Sequence, residues 1–368
     1  MKPLDIVILG LAMRSSWGNG HATTYRGLVR ALRERGHRVL FLERDVPWYA
    51  ENQDADADIA GGIAVYADMD ELADQYADGV SNADVVMVGS YVPDGVAVGN
   101  WVQATATNVT AFYDIDTPVT LAQLAAQRCD YIDARSMSRY DLYLSFTGGP
   151  TLGYLAKKYG AHALPFYCAV DPTRYFPQST HADFDLGYMG TYSDDRQPTL
   201  ERLLLDPARS WNDGRFVVAG AQFPASVEWP HNVVHIEHVG PAQHRAFYNA
   251  QRFTLNVTRA DMIRAGWSPS VRLFEAAACG VPIISDAWPG LDELFEPDTE
   301  ILIARDATDV LHWLRDTPEE QRCAIGEAAR RRVLAEHTAA HRAQTLERYI
   351  AHIAPRGHIS FSPQELVS

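Results

Sequence analysis

Apolar and polar positions along the chain repeat as a short buried-strand pattern followed by a helical one. Residues 5–9, within "DIVILG", form a β-rich apolar run. The loop "SSWGNGH" leads into residues 22–35, where apolar positions recur at helical spacing, and "GHRVLFLE" returns as a strand. "ADVVMVGS", "NVTAFYD" and "YDLYLSF" read as further buried strands with helical segments between them. Strands joined through helices pair in parallel, so the pattern predicts a mostly parallel, doubly wound α/β sheet.

The pattern relaxes over residues 167–182, "YCAVDPTRYFPQSTHA", where prolines and polar residues suggest a linker. It restarts with "DLGYMGTY", "GRFVVAG", "RFTLNVT" and "VPIISD", again with helices between. Residues 317–353 read as almost continuously helical, and the last fifteen or so lack any period. Two similar α/β domains are therefore expected, at residues 1–166 and 183–335, facing each other across a cleft, with 336–368 as a long terminal helix and tail. Two such domains fit 368 residues, which exceed what one ordinary core accommodates.

Composition narrows the partners. Lys and Arg number 32 against 47 Asp and Glu, a net charge of −15, so a nucleic acid is not expected as partner. The four cysteines (Cys129, Cys168, Cys279 and Cys323) lie far apart, without a C-x-x-C pair, so neither zinc nor a disulfide framework is indicated; a reducing, cytoplasmic setting fits. "MKPLDIVILGLAM" has Asp5 inside its apolar run and no small-residue cleavage site after it, which reads as a first strand rather than a signal peptide. Arg26, Arg30 and Arg33 share one helical face, which suggests either a solvated surface or a basic patch for an anionic acceptor or membrane.

The chemistry concentrates where strands end. In "SVRLFEAAACGVPIISD", Arg272 and Glu275 stand three residues apart on an expected helix over 271–279, entered through Ser270. A surface ion pair is one reading; the other is a ligand with a phosphate for Arg272 and a diol for Glu275. In "YMGTYSDDRQPTLERLL", Gly190 lets the backbone approach a ligand, Thr191 and Tyr192 follow it, and Arg196 opens the next helix. Asn19, Gly20 and His21 border the first loop, and Gly148 and Gly149 precede a helix where backbone amides are able to face a ligand or simply turn the chain. Glu43 ends the second strand, where a dehydrogenase would hold a ribose, but the three-glycine fingerprint is not met.

The stretch "SVRLFEAAACGVPIISDAWPGLDELFEPDTEILIA" resembles the nucleotide-binding segment of GT-B glycosyltransferases, and its Ser-x-Arg-x-Phe-Glu lead-in is closest to the CgeB-like (spore-maturation-type) branch. "HATTYRGLVRALRERGHRVLFLE" and "CAVDPTRYFP" look like the family's first helix and second strand, and its linker. The resemblance implies two Rossmann-like domains, an acceptor half and a nucleotide-sugar half, with the terminal helix returning to the first domain. It implies that Glu275 holds the ribose hydroxyls of a UDP-sugar, that Arg272 and Arg196 meet its diphosphate, and that His21 deprotonates an acceptor hydroxyl if the reaction inverts. The acceptor would be a saccharide or small molecule, with neither cofactor nor metal expected. Many retaining members carry a glutamate eight residues before the second one, where this chain has Trp267. Asp114 and Asp116 form an Asp-x-Asp that leaves open a metal-dependent GT-A-like transferase, a helix start, or aspartates that orient His21. A nucleotide-sugar epimerase of the same architecture is the remaining alternative.

Overall fold

Seven strands form the first sheet: β1 (Asp5–Gly10), β2 (Arg38–Arg44), β3 (Ile63–Tyr66), β4 (Val85–Gly89), β5 (Val109–Asp114), β6 (Leu142–Ser145) and β7 (Ala163–Pro165). Their order is β3-β2-β1-β4-β5-β6-β7, with every pair parallel. Six more form the second: β8 (Phe184–Met189), β9 (Phe216–Ala219), β10 (Val233–Ile236), β11 (Gln251–Asn256), β12 (Ile283–Ser285) and β13 (Leu302–Ile303). Their order, β10-β9-β8-β11-β12-β13, is again parallel throughout. The computed structural model describes residues 2–17, 19–54, 62–179 and 181–353; the expected tail lies outside them.

In each sheet the strand order reverses beside the first strand, between β1 and β4 and between β8 and β11. The crevice beyond the carboxyl ends of such strands is where ligands of open α/β sheets bind. Apolar packing runs from Ile8 and Tyr113 in the first domain through Cys168, Val170 and Tyr175 to Leu273 and Ile283 in the second. The linker is thus part of the core rather than a solvated tether.

The long terminal helix is two helices, Glu319–Glu336 and Ala339–His352, broken at His337 and Thr338. Thr338 caps the second by accepting from the His341 amide, which explains a break that the helical period hides. This second helix lies on the helix His21–Glu34 of the first domain: Glu347 accepts from Arg35 Nη2 at 2.6 Å and meets His37 Nε2 at 2.8 Å. Val170 and Thr338 pair as an isolated bridge, so both crossings between the domains run side by side.

The arginine face of the first helix is not a surface patch. Arg26 is buried and reaches the Met13 carbonyl and Asp54, Arg30 pairs with Asp171 at 2.7 Å, and Arg33 donates to the Val39 carbonyl. Each cation is consumed in holding loops against the helix. Among the described residues no helix is long and apolar enough to cross a membrane.

Candidate functional site

The helix Val271–Ala278 is buried along nearly its whole length, so its charged side chains must find partners inside the protein. Arg272 donates through Nε to the Met189 carbonyl at 2.6 Å and through Nη1 to Asn256 Oδ1 at 3.0 Å, and its guanidinium lies 5.0 Å from the Tyr188 ring centre. These contacts seat it between the ends of β8 and β11. A Cβ on Gly190 would come within 2.8 Å of Arg272 Nη2, so glycine is what lets the arginine reach this crevice. Ser270 holds Asn256 Oδ1 at 2.9 Å and so braces the same acceptor.

Arg196 belongs to the same constellation. Its Nε donates to Ser193 Oγ at 2.9 Å and its Nη2 to the Thr191 carbonyl. Burial, the largest cause, pushes its pKa down; Tyr188 and Asp195 oppose that, and the neighbouring guanidinium groups of Arg272 and Arg259 add to it. Arg259 stands three residues past the end of β11, and no hydrogen bond or ion pair joins its guanidinium to a described residue. None of the three forms an ion pair with a described carboxylate. Like charges held together in a partly desolvated crevice repel unless an anion enters.

Glu275 points elsewhere. Its carboxylate accepts the Tyr248 hydroxyl at 3.0 Å, with His244 Nδ1 at 4.0 Å and Tyr175 alongside. The exposed i,i+3 ion pair is thereby excluded: both residues are buried and each has its own partners. Tyr192 turns its hydroxyl to Asp194 and its ring to Phe223, while Thr191 contributes its carbonyl alone.

Across the crevice stands the first domain. His21 opens its helix, its amide donating to Asn19 Oδ1 at 3.0 Å. Its Nδ1 is sealed from solvent without a partner, and burial pushes the imidazole down to about 4, so it is neutral at pH 7. Its ring lies 5.3 Å from that of Tyr91, whose hydroxyl donates to Asp116 Oδ2 at 3.1 Å. Asp116 Oδ1 is also sealed and unpartnered. Burial raises the Asp116 pKa, against the pull of Arg259 on the opposite domain.

Several expectations are corrected here. Neither aspartate bonds to His21; Tyr91 stands beside it instead. Asp114 is fully buried and accepts from Tyr143 and Thr120, at 2.5 and 2.7 Å, so it braces the sheet end, and burial pushes it up to about 6. Asn19 uses its amide on the Ala12 and Ser15 carbonyls, which makes it the staple of its loop. Gly20 is exposed at the helix start. Glu43 takes the Met13 and Arg14 amides, not a ribose.

The Gly148 amide donates to the Trp267 carbonyl at 2.9 Å and is not free for a ligand. Gly149, at φ +55°, and Gly290, at φ +86°, leave the space that the Trp267 indole fills from both sides; a Cβ on either would lie about 2.5 Å or less from it. Thr147 and Ser268 join the same loops through their hydroxyls at 2.9 Å. Trp267 is therefore a contact between domains. Among the described residues no three His, Cys, Asp or Glu side chains converge as a metal set.

Residues 196–348 match the family described as glycosyl transferase-like, so the second domain carries a glycosyltransferase domain. Solved structures match over nearly the whole chain. The Anabaena protein HepE, in complex with UDP and glucose, superposes with a TM-score of 0.69 at 12% identity, covering 95% of this chain and 99% of that one. An alpha-glucosyltransferase in complex with UDP-glucose and DNA containing an abasic site gives 0.69 at 12%, covering 95% and 100%. A putative UDP-N-acetylglucosamine 2-epimerase from Listeria monocytogenes gives 0.57 at 15%, covering 94% and 95%. No curated protein matches the chain by sequence. The fold is GT-B, and the similarity to a glycosyltransferase domain lies within residues 196–348.

Proposed function

We propose that the enzyme transfers a sugar from a nucleotide-diphosphate donor, UDP-sugar first among them, to an acceptor hydroxyl without a metal ion. The carrying observation is the convergence of Arg196, Arg259 and Arg272 at the strand-order reversal, with no carboxylate among the described residues in an ion pair with them. A diphosphate is an anion of the right size, and its charge grows as the glycosidic bond breaks, so fixed cations there favour the transition state over the ground state. The UDP and UDP-glucose in the complexes of its structural neighbours support the choice of nucleotide. The buried Glu275 would take the ribose hydroxyls, and the Ser-x-Arg-x-Phe-Glu lead-in supports placement in the CgeB-like branch.

On the facing domain, His21 is neutral and has an unused ring nitrogen, which suits a general base for the acceptor hydroxyl. Asp116 would bound the same space, its free oxygen accepting a hydroxyl proton. The test is titration of UDP by calorimetry, followed by incubation with UDP-sugars. Absence of UDP binding sinks the reading; epimer formation without nucleotide release converts it to an epimerase.

A further inference from the structure

Four large hydrophobic side chains are exposed among the described residues, and two of them touch: Trp17, 36% exposed, and Trp48, 52% exposed, meet edge to face with ring centres 5.4 Å apart. They lie on the rim of the crevice, Trp17 in the loop that ends at His21 and Trp48 after β2. Trp17 also stacks flat on His238 of the second domain, at 5.2 Å and 4°. The corner is therefore continuous with the space between the domains.

A polar frame fixes the two indoles. Ser15 Oγ donates to the Asn52 carbonyl at 2.5 Å, Asn52 Nδ2 donates to the Trp48 carbonyl at 2.8 Å, and the Trp17 amide donates to Ser15 Oγ at 3.3 Å. Asp54 holds Ser16 through both oxygens and pairs with Arg26. With one Trp17 face covered by His238, the open aromatic surface is mainly that of Trp48, and surface braced in this way is preorganised for a ligand.

Charge selects the occupant. Each nearby cation already has a carboxylate, Arg14 having Glu43 and Asp45 and Arg26 having Asp54. Arg14 Nη2 and Arg26 Nη1, which have no hydrogen bond, are sealed from solvent, while Asp45 and Glu51 are exposed. An anion gains nothing here. A neutral ring with one C–H face and an edge of hydroxyls gains both aromatic contact and carboxylate acceptors. We infer that Trp17 and Trp48 form an acceptor subsite that seats a pyranose ring, so the acceptor is a neutral saccharide. This rests on the transferase reading above and adds the acceptor's class.

The experiment applies the full-length protein to an immobilised library of neutral oligosaccharides, with UDP binding by calorimetry in parallel. Wild type is expected to retain pyranose-terminated glycans, and Trp48→Ala to bind them at least about fivefold more weakly, with Trp48→Phe intermediate. Tyr154→Ala, another exposed aromatic on a different helix, is the control and retains wild-type binding. Retention of no glycan by a wild type that binds UDP overturns this inference alone; failure to bind UDP overturns the transferase reading first. Equal glycan binding by Trp48→Ala overturns the subsite. So does Trp48-dependent sedimentation with phosphatidylcholine vesicles in place of glycan binding, which would make the corner a membrane contact.

Discussion

Arg272 and Glu275, three residues apart on one eight-residue helix, take different partners: the arginine closes on Met189 and Asn256, the glutamate on Tyr248. A cation that braces backbone at the end of β8 and an anion bedded among tyrosines are two separate devices.

Arg259 and Arg272 should separate binding from folding. Arg259→Ala is expected to weaken UDP about tenfold or more with little change in Tm, because no described group loses a side-chain hydrogen bond or ion pair. Arg272→Ala should weaken UDP as much and also lower Tm, since it orphans the Met189 carbonyl and one bond to Asn256. Calorimetry and thermal melts on both variants check this; a stable Arg259→Ala with wild-type affinity removes Arg259 from the site.

Glu275→Gln keeps an acceptor for Tyr248, whereas Glu275→Ala leaves that buried hydroxyl unpaired. The alanine variant should therefore lose about 1–3 kcal/mol of stability and the glutamine variant less. Both should bind UDP more weakly if the carboxylate holds the ribose. Comparison with 2′,3′-dideoxy-UDP is decisive: the wild-type preference for UDP should shrink in both variants.

Acid should act through His21. Its folded pKa is pushed down to about 4 by burial from 6.5, so its stabilising contribution is full above about pH 6.5 and fades as pH falls toward 4. His337, pushed down to about 3, has the same sign; Asp114, raised to about 6, opposes both. Urea midpoints of wild type should fall between pH 7 and 4.5, and those of His21→Gln should fall less. The same value sets the acid limb of kcat/KM: a catalytic His21 keeps activity level to near pH 5.

Gly149→Ala should destabilise the protein and lower kcat, because the new methyl meets the Trp267 indole at a positive φ. Trp267→Ala should also destabilise, by emptying the space between the two glycines. The double variant should melt above the temperature expected from adding the two losses. Strict additivity would mean that the contact does not couple the domains.

If the proposed guanidinium groups take the place of an ion at the diphosphate, turnover should survive EDTA. Activity abolished by chelation and restored by Mn²⁺ would return attention to Asp116.

Periodicity made both sheets legible, because a parallel strand buried on both faces leaves a long apolar run in the sequence. Arg272 and Glu275 stood out by their spacing on an expected helix and by the family resemblance, and Arg196 by its place in the loop that leads from β8 into a helix. Arg259 was missed although it too follows a strand, in "NVTRAD"; position just past the end of β11 was the available signal. Tyr91 and the Trp17–Trp48 corner depend on residues distant in the chain meeting in space, which no local spacing encodes. The same holds for Asp114: an Asp-x-Asp does not reveal that Tyr143 covers its first member.

The bridge between Val170 and Thr338 has a mechanical meaning. Two strands of chain that cross at one place act like two pins on one axle: they permit swinging about their common line and resist sliding or twisting between the halves. The tryptophan and glycines near the floor of the crevice then act as a doorstop, fixing how far the swing can go. A rotor with one axis and one stop returns its two faces to the same register after every opening.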